Sequence, residues 1–181
     1  MRKIILIGGV LAAGKSTYAN ILKEKYKLTV VTKDRLKEIL GDNILVTNRE
    51  ENKKLSVICF DLMKYLLECN MTNLVLECNF KDYELVELKD LCKSLGYEVM
   101  SLIFDADNEI LHERFIKRLG ENRHYVHKSQ DFSDINDFIP VIDNLRHAPY
   151  FGEIINVNCD DFTYQTDDSL FKKIELFLNK E

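Results

Sequence analysis

The sequence has no run of Lys or Arg longer than a pair, and its formal net charge is −5. That combination argues against a surface built to grip a long stretch of nucleic-acid backbone, which calls for clustered positive charge. No segment approaches the roughly 18 consecutive apolar residues that a membrane-spanning helix needs. Five cysteines (Cys59, Cys69, Cys78, Cys92 and Cys159) include no C-x-x-C pair and are odd in number. They read as small buried hydrophobes in a reducing, cytoplasmic setting rather than as a disulfide or zinc framework. There is no repeat, no low-complexity tract and no linker rich in proline or glycine, with two prolines and seven glycines in 181 residues. A single domain over residues 1–181 is the expectation.

What is present is ordinary globular material: 46% hydrophobic and 30% charged residues, enough to bury a core without staples. The basic pair Arg2-Lys3 and the apolar stretch after it superficially suggest a leader peptide. The run is short and Lys15 breaks it, so a buried first strand explains it better.

Along the chain, strand and helix patterns alternate. Continuous apolar or β-branched runs at 3–7, 28–32, 73–77, 97–105 and 154–157 predict five strands covered on both faces. Helical spacing predicts helices over 16–26, 34–40, 50–69, 85–95, 108–119, 135–145 and a closing helix around Leu170, Ile174 and Phe177. Pro140 predicts a kink or boundary in the sixth of these. The polar, basic stretch 120–131 predicts a mobile loop. Buried strands separated by helices argue for an α/β fold with a parallel sheet.

The most specific motif is Gly9-Val-Leu-Ala12-Ala13-Gly14-Lys15-Ser16-Thr17, which matches G-x-x-x-x-G-K-[ST] between a buried strand and a helix. Gly9, Ala12, Ala13 and Gly14 form a loop whose N–H groups can turn inward on phosphate oxygens, beside a helix N-terminus. Lys15 is placed to neutralise the β- and γ-phosphates, and the Ser16 hydroxyl to bind Mg²⁺. This is the signature of an Mg-nucleotide site, with Thr17 adjoining it.

Three further segments narrow the class. No glycine has Asp three residues upstream, so the D-x-x-G of a GTPase switch is missing. Lys33-Asp34-Arg35-Leu-Lys37 follows the second strand, where an open α/β sheet meets its ligands. Asp34 can take a proton from an acceptor hydroxyl, while Arg35 or Lys37 holds an acceptor anion; the plainer reading of Asp34 is a helix cap. Glu77 ends a buried strand, where it can order Mg²⁺ or orient the acceptor. Arg114 and Arg118 share one helix face, with Arg123 beyond, and suit a lid over about 114–131 that places positive charge on a migrating phosphoryl group. His124-x-x-His127 lacks companion cysteines and the Asp131–Asp137 stretch lacks the glycine and glutamate of a calcium loop, so neither is read as a metal site.

On these residues the sequence resembles the P-loop kinase superfamily, and is similar to small kinases grouped with polynucleotide-kinase, zeta-toxin-like and chloramphenicol phosphotransferase domains. The resemblance lies in GVLAAGKST, TKDRLK, LVLECNF and HERFIKR. It implies a three-layer α/β/α P-loop NTPase fold, a five-stranded sheet in the order 2-3-1-4-5, and ATP with Mg²⁺. It places the base at Asp34, the acceptor-phosphate ligand at Lys37, and the lid arginines at Arg114 and Arg118. The implied function is transfer of the γ-phosphoryl group of ATP to a hydroxyl. A 5′-hydroxyl polynucleotide kinase and an ATP-binding regulator with slow hydrolysis remain the alternatives. Relatives with a nucleic-acid acceptor often carry Arg where this chain has Lys37 and Asp where it has Glu77, which turns the expectation toward a smaller acceptor.

Overall fold

The computed structural model describes residues 2–120, 123–128 and 132–180. Five strands are described: β1 (Arg2–Gly9), β2 (Thr29–Thr32), β3 (Leu74–Glu77), β4 (Tyr97–Asp105) and β5 (Glu153–Asn158). All neighbouring strands pair in parallel, in the order β2-β3-β1-β4-β5. Both the α/β class and the strand order therefore match the expectation. The helices are α1 (Lys15–Tyr26), α2 (Lys33–Gly41), α3 (Arg49–Cys69), α4 (Asp82–Ser94), α5 (Asn108–Leu119), α6 (Ile135–Arg146) and α7 (Asp168–Asn179).

Alternation along β1 builds the three layers. Ile5 and Ile7 point into a core with Tyr18 and Leu22 of α1, Leu111 of α5, Phe138 and Ile142 of α6, and Ile174 of α7. Ile4 and Leu6 point the other way, onto Phe60 and Met63 of α3 and Leu85 and Leu88 of α4. A third, small cluster joins Leu55 and Cys59 of α3 to Val126, with Leu36 and Leu40 of α2 packed on it. This last cluster is why residues 123–128 lie ordered against α2 and α3, with a 3-10 turn at Tyr125–His127, where composition had predicted only a mobile loop.

Pro140 sits inside α6 without ending it. The ring removes one backbone donor, but Asp134 caps the first turn through Asn136 N at 2.8 Å, and buried Phe138 and Ile142 hold the helix to the core. Among the described residues no helix is long and apolar enough to cross a membrane.

Candidate functional site

Gly9, Ala12 and Gly14 all have positive φ, at 109°, 62° and 87°. The loop therefore curls as a cradle that side chains would resist at the two glycines. A Cβ on Gly9 would strike the backbone of Phe104, and one on Gly14 the Tyr164 hydroxyl. Val10 N donates to Phe104 O at 3.0 Å, locking the loop onto the end of β4. From the other side Tyr150 Oη accepts from Gly9 N at 2.7 Å. Burial pushes the Tyr150 phenol pKa up, so it stays neutral beside the loop.

Lys15 opens α1 and is only 5% exposed. Its Nζ donates to Val10 O, folding the cation back over the loop. Burial lowers its pKa, while Glu77 and Asp34 act in the opposite sense and Arg118 adds to the lowering. Glu77, at the end of β3, is equally buried at 5%. Burial pushes its carboxyl up to about 7, against the opposing pull of Lys15, a hydrogen bond from the Ser16 hydroxyl and the field of Arg118. Four charged groups from four elements (Lys15, Asp34, Glu77 and Arg118) thus share one electrostatic neighbourhood at the C-terminal edge of the sheet.

Two hard oxygen donors meet beside the cradle, the Ser16 hydroxyl and the buried Glu77 carboxyl to which it is hydrogen-bonded. That donor set suits a small divalent cation, which would relieve the cost of ionising Glu77. Among the described residues no group of three or more His, Cys, Asp or Glu side chains could hold a metal by itself. Mg²⁺ here would accordingly share its shell with phosphate oxygens and water.

Asp34 stands in the first turn of α2, whose cap is Thr32 and not Asp34 itself. Its side chain keeps 51% of its exposure, so it is open to a substrate. Lys37, one turn further, is half-buried; burial lowers its pKa and Lys33 and Lys81 push the same way, while Asp34 opposes. Lys33 itself is committed to Glu84 at 2.5 Å in a buried pair. Arg35 turns to Glu38 at 3.1 Å on the surface of α2.

The two arginines expected in a lid part company. Arg114 donates to the carbonyls of Cys159 and Asp160 at 2.6 and 3.0 Å and lies over the Phe162 ring at 4.7 Å. It braces the turn after β5. Arg118 is exposed and lies in the field of Lys15 and Glu77. Thr17 is exposed on α1, where with Asn20, Ile21, Glu24 and Lys25 it lines a shallow surface hollow. His124 Nε2 meets Asp42 at 3.0 Å, and His127 Nε2 meets Glu38 at 3.2 Å. Asp134 caps α6, while Asp131 and part of the predicted lid (121–122 and 129–131) lie outside the described residues.

Sequence reasoning did not find Tyr150, Glu38 or Phe162. Tyr150 carries no pattern at all, since a tyrosine in a loop before an edge strand is indistinguishable from a core aromatic. His127 was visible only as half of a metal-like pair.

No family model and no curated protein matches the chain. Solved structures match in fold. A candidate kinase from Chloroflexus aurantiacus superposes with a TM-score of 0.77 at 19% identity, covering 96% of this chain and 97% of that one. Shikimate kinase from Bacteroides thetaiotaomicron gives 0.62 at 14% identity, covering 97% and 98%. One chain of an RNA repair complex gives 0.58 at 18% identity, covering 81% of this chain and 44% of that one. The chain has the fold of the P-loop kinases.

Proposed function

We propose that the protein is a Mg²⁺-dependent kinase that moves the γ-phosphoryl group of ATP to the hydroxyl of a small anionic acceptor. The observation that carries this reading is the meeting of Lys15, Glu77, Asp34 and Arg118 at one end of the sheet. A phosphate cradle alone binds nucleotide. An exposed carboxylate beside the cradle, with cations on both sides, provides for transfer.

In this reading the loop amides of residues 9–14, with Lys15, hold the phosphates, and Thr17 follows in the same turn of α1. Ser16 would hold Mg²⁺ and Glu77 would order it, and the ion would neutralise charge at the phosphates. Asp34 accepts the acceptor proton as the acceptor oxygen bonds to the γ-phosphorus and ADP leaves. Lys37 faces the acceptor's anionic group, with Arg35 at the rim. Arg118 stabilises charge on the moving phosphoryl group, and Arg114 fixes the β5–α7 turn against which the nucleoside would lie.

Small-acceptor chemistry is favoured by Lys37. Its compact ammonium is half-buried, whereas a polynucleotide backbone is better clasped by the fork of an arginine. The fold shared with a chain of an RNA repair complex keeps a 5′-hydroxyl oligonucleotide in the test. An ATP-consumption screen over alcohol acceptors, with and without short 5′-hydroxyl oligonucleotides, separates the readings. Consumption that depends on a small anionic alcohol is expected. Consumption with oligonucleotides alone would transfer the reading to a polynucleotide kinase, and slow consumption indifferent to any acceptor would make the protein a regulator.

A further inference from the structure

The His127 imidazole is buried to 9% of its side-chain exposure between residues 123–128 and α2. Its two nitrogens face two different carboxylates. Nε2 lies 3.2 Å from Glu38 Oε1, and Nδ1 lies 4.0 Å from Asp34 Oδ1. Nothing else about this segment requires a histidine. Val126 packs on Leu55 and Cys59, Asn52 Nδ2 donates to Val126 O at 2.9 Å, and Tyr125 Oη donates to Gly41 O at 2.6 Å. Those contacts seat the segment on α2 and α3, and the seating brings the ring to Asp34.

We propose that His127 acts through Asp34 as a proton relay, taking the Asp34 proton on Nδ1 and giving up its Nε2 hydrogen to Glu38 while the segment lies against α2. The proposal rests on the kinase reading above.

The polarity follows from the partners. A carboxylate on Glu38 can only accept, so in the neutral ring Nε2 carries the hydrogen and Nδ1 presents its lone pair toward Asp34. Burial lowers the ring's pKa and Arg123 pushes the same way, while Asp34 and Glu38 oppose. The neutral tautomer is thereby favoured near pH 7.

The step balances without an outside reagent. The acceptor O–H bond breaks as its oxygen bonds to the γ-phosphorus, and the bond from that phosphorus to the β,γ-bridging oxygen breaks to release ADP. The proton first rides on Asp34. It passes to Nδ1 as the Nε2 hydrogen passes to Glu38, whose side chain keeps 27% of its exposure and can discharge to water; the ring, left as the Nδ1–H tautomer, loses that hydrogen and regains one on Nε2 by exchange with water before the next turnover. Closing the 4.0 Å gap needs a shift of about 1 Å, or one bridging water.

Two measurements test this together. ¹⁵N NMR of the His127 ring reads its tautomer in the intact protein without any acceptor. An Nε2–H ring near pH 7, changed in Glu38→Gln, is expected; an Nδ1–H ring, or a ring indifferent to Glu38, overturns the proposal. The second is turnover with the acceptor that the screen identifies. His127→Gln keeps a donor for Glu38 but has no second nitrogen, so kcat should fall about 10-fold with KM for ATP unchanged.

Glu38→Gln should lower kcat similarly, and the double variant should lose no more than the worse single one. Full kcat in His127→Gln, with the same melting temperature as the parent, would show a merely structural ring and overturn the proposal. The acidic limb of the kcat–pH profile should also move in Glu38→Gln, because Glu38 and Asp34 on α2 face the ring together with Arg123 and the titratable His124 ring, 6.3 Å away, on the segment. An unmoved limb counts against the relay. If no acceptor supports turnover, the kinase reading fails in the screen and the relay falls with it, while the tautomer still reports the ring geometry separately.

Discussion

Lys15 and Asp34 lie in one electrostatic neighbourhood, yet the proposed function gives them separable ends, and their variants should separate accordingly. Lys15→Ala removes the buried cation of the cradle, so Mg-ATP affinity by calorimetry should fall by about 10-fold or more. Asp34→Asn preserves shape and leaves the cradle alone. Its ATP affinity should persist while acceptor-dependent turnover drops about 10²-fold. Glu77 gives a pH signature. Its folded pKa, about 7, is raised above the usual carboxylate value by burial, so the native state holds its proton more tightly than the unfolded chain. Ligand-free stability from this group is full below about pH 4.5 and is lost as pH rises through about 7. Glu77→Gln should therefore raise the melting temperature of the ligand-free protein at pH 8. Mg-ATP binding near pH 7 should release a proton, measurable by calorimetry in buffers of different ionisation enthalpy.

At the scale of elements, the strand–loop–helix of residues 2–26 was readable almost completely, because its constraints are local. The positive φ at Gly9 and Gly14 is a property of the turn, and the apolar run of β1 records burial on both faces. Gly14→Ala should lose nucleotide binding, because a Cβ there meets both a left-handed backbone and the Tyr164 hydroxyl. Equal ATP affinity in that variant would contradict the cradle geometry. The segment 123–128 was not readable, since its order depends on one buried side chain, Val126, meeting Leu55 and Cys59 from a distant helix. Composition reports polarity and cannot report that meeting. Helix α6 was readable despite Pro140: its apolar spacing over 135–145 outweighs the local rule against proline, and packing of Phe138 and Ile142 carries the helix through it. Val126→Asp should release the segment, sharply increasing amide exchange at 123–128 while leaving the exchange of β1 and β3 unaltered.

For the molecule as a whole, the parallel order β2-β3-β1-β4-β5 sets β1 between β3 and β4, bringing the loop after β1, Glu77 and the start of α2 to one edge. Each of those residues was individually legible at a strand end. Their convergence followed from the resemblance and from the right-handed crossovers of α/β sheets. Long-range partners such as Tyr150 on Gly9 N, 141 positions away, left no trace in spacing or composition. The same geometry explains why the P-loop is the easier half to assign. It recurs with its own helix and strand, whereas the proposed acceptor side would be assembled from α2, β3 and residues 123–128, which share no single motif.

The central claim is that the phosphoryl group leaves this site on a hydroxyl, with Asp34 as its base. ³¹P NMR of Mg-ATP turned over with the screened acceptor tests it most directly. The γ-phosphorus signal should move into a phosphomonoester for the parent protein and stay on ATP for Asp34→Asn at equal nucleotide occupancy. Inorganic phosphate as the sole product, or an Asp34→Asn protein that forms the ester at the parental rate, would contradict the account.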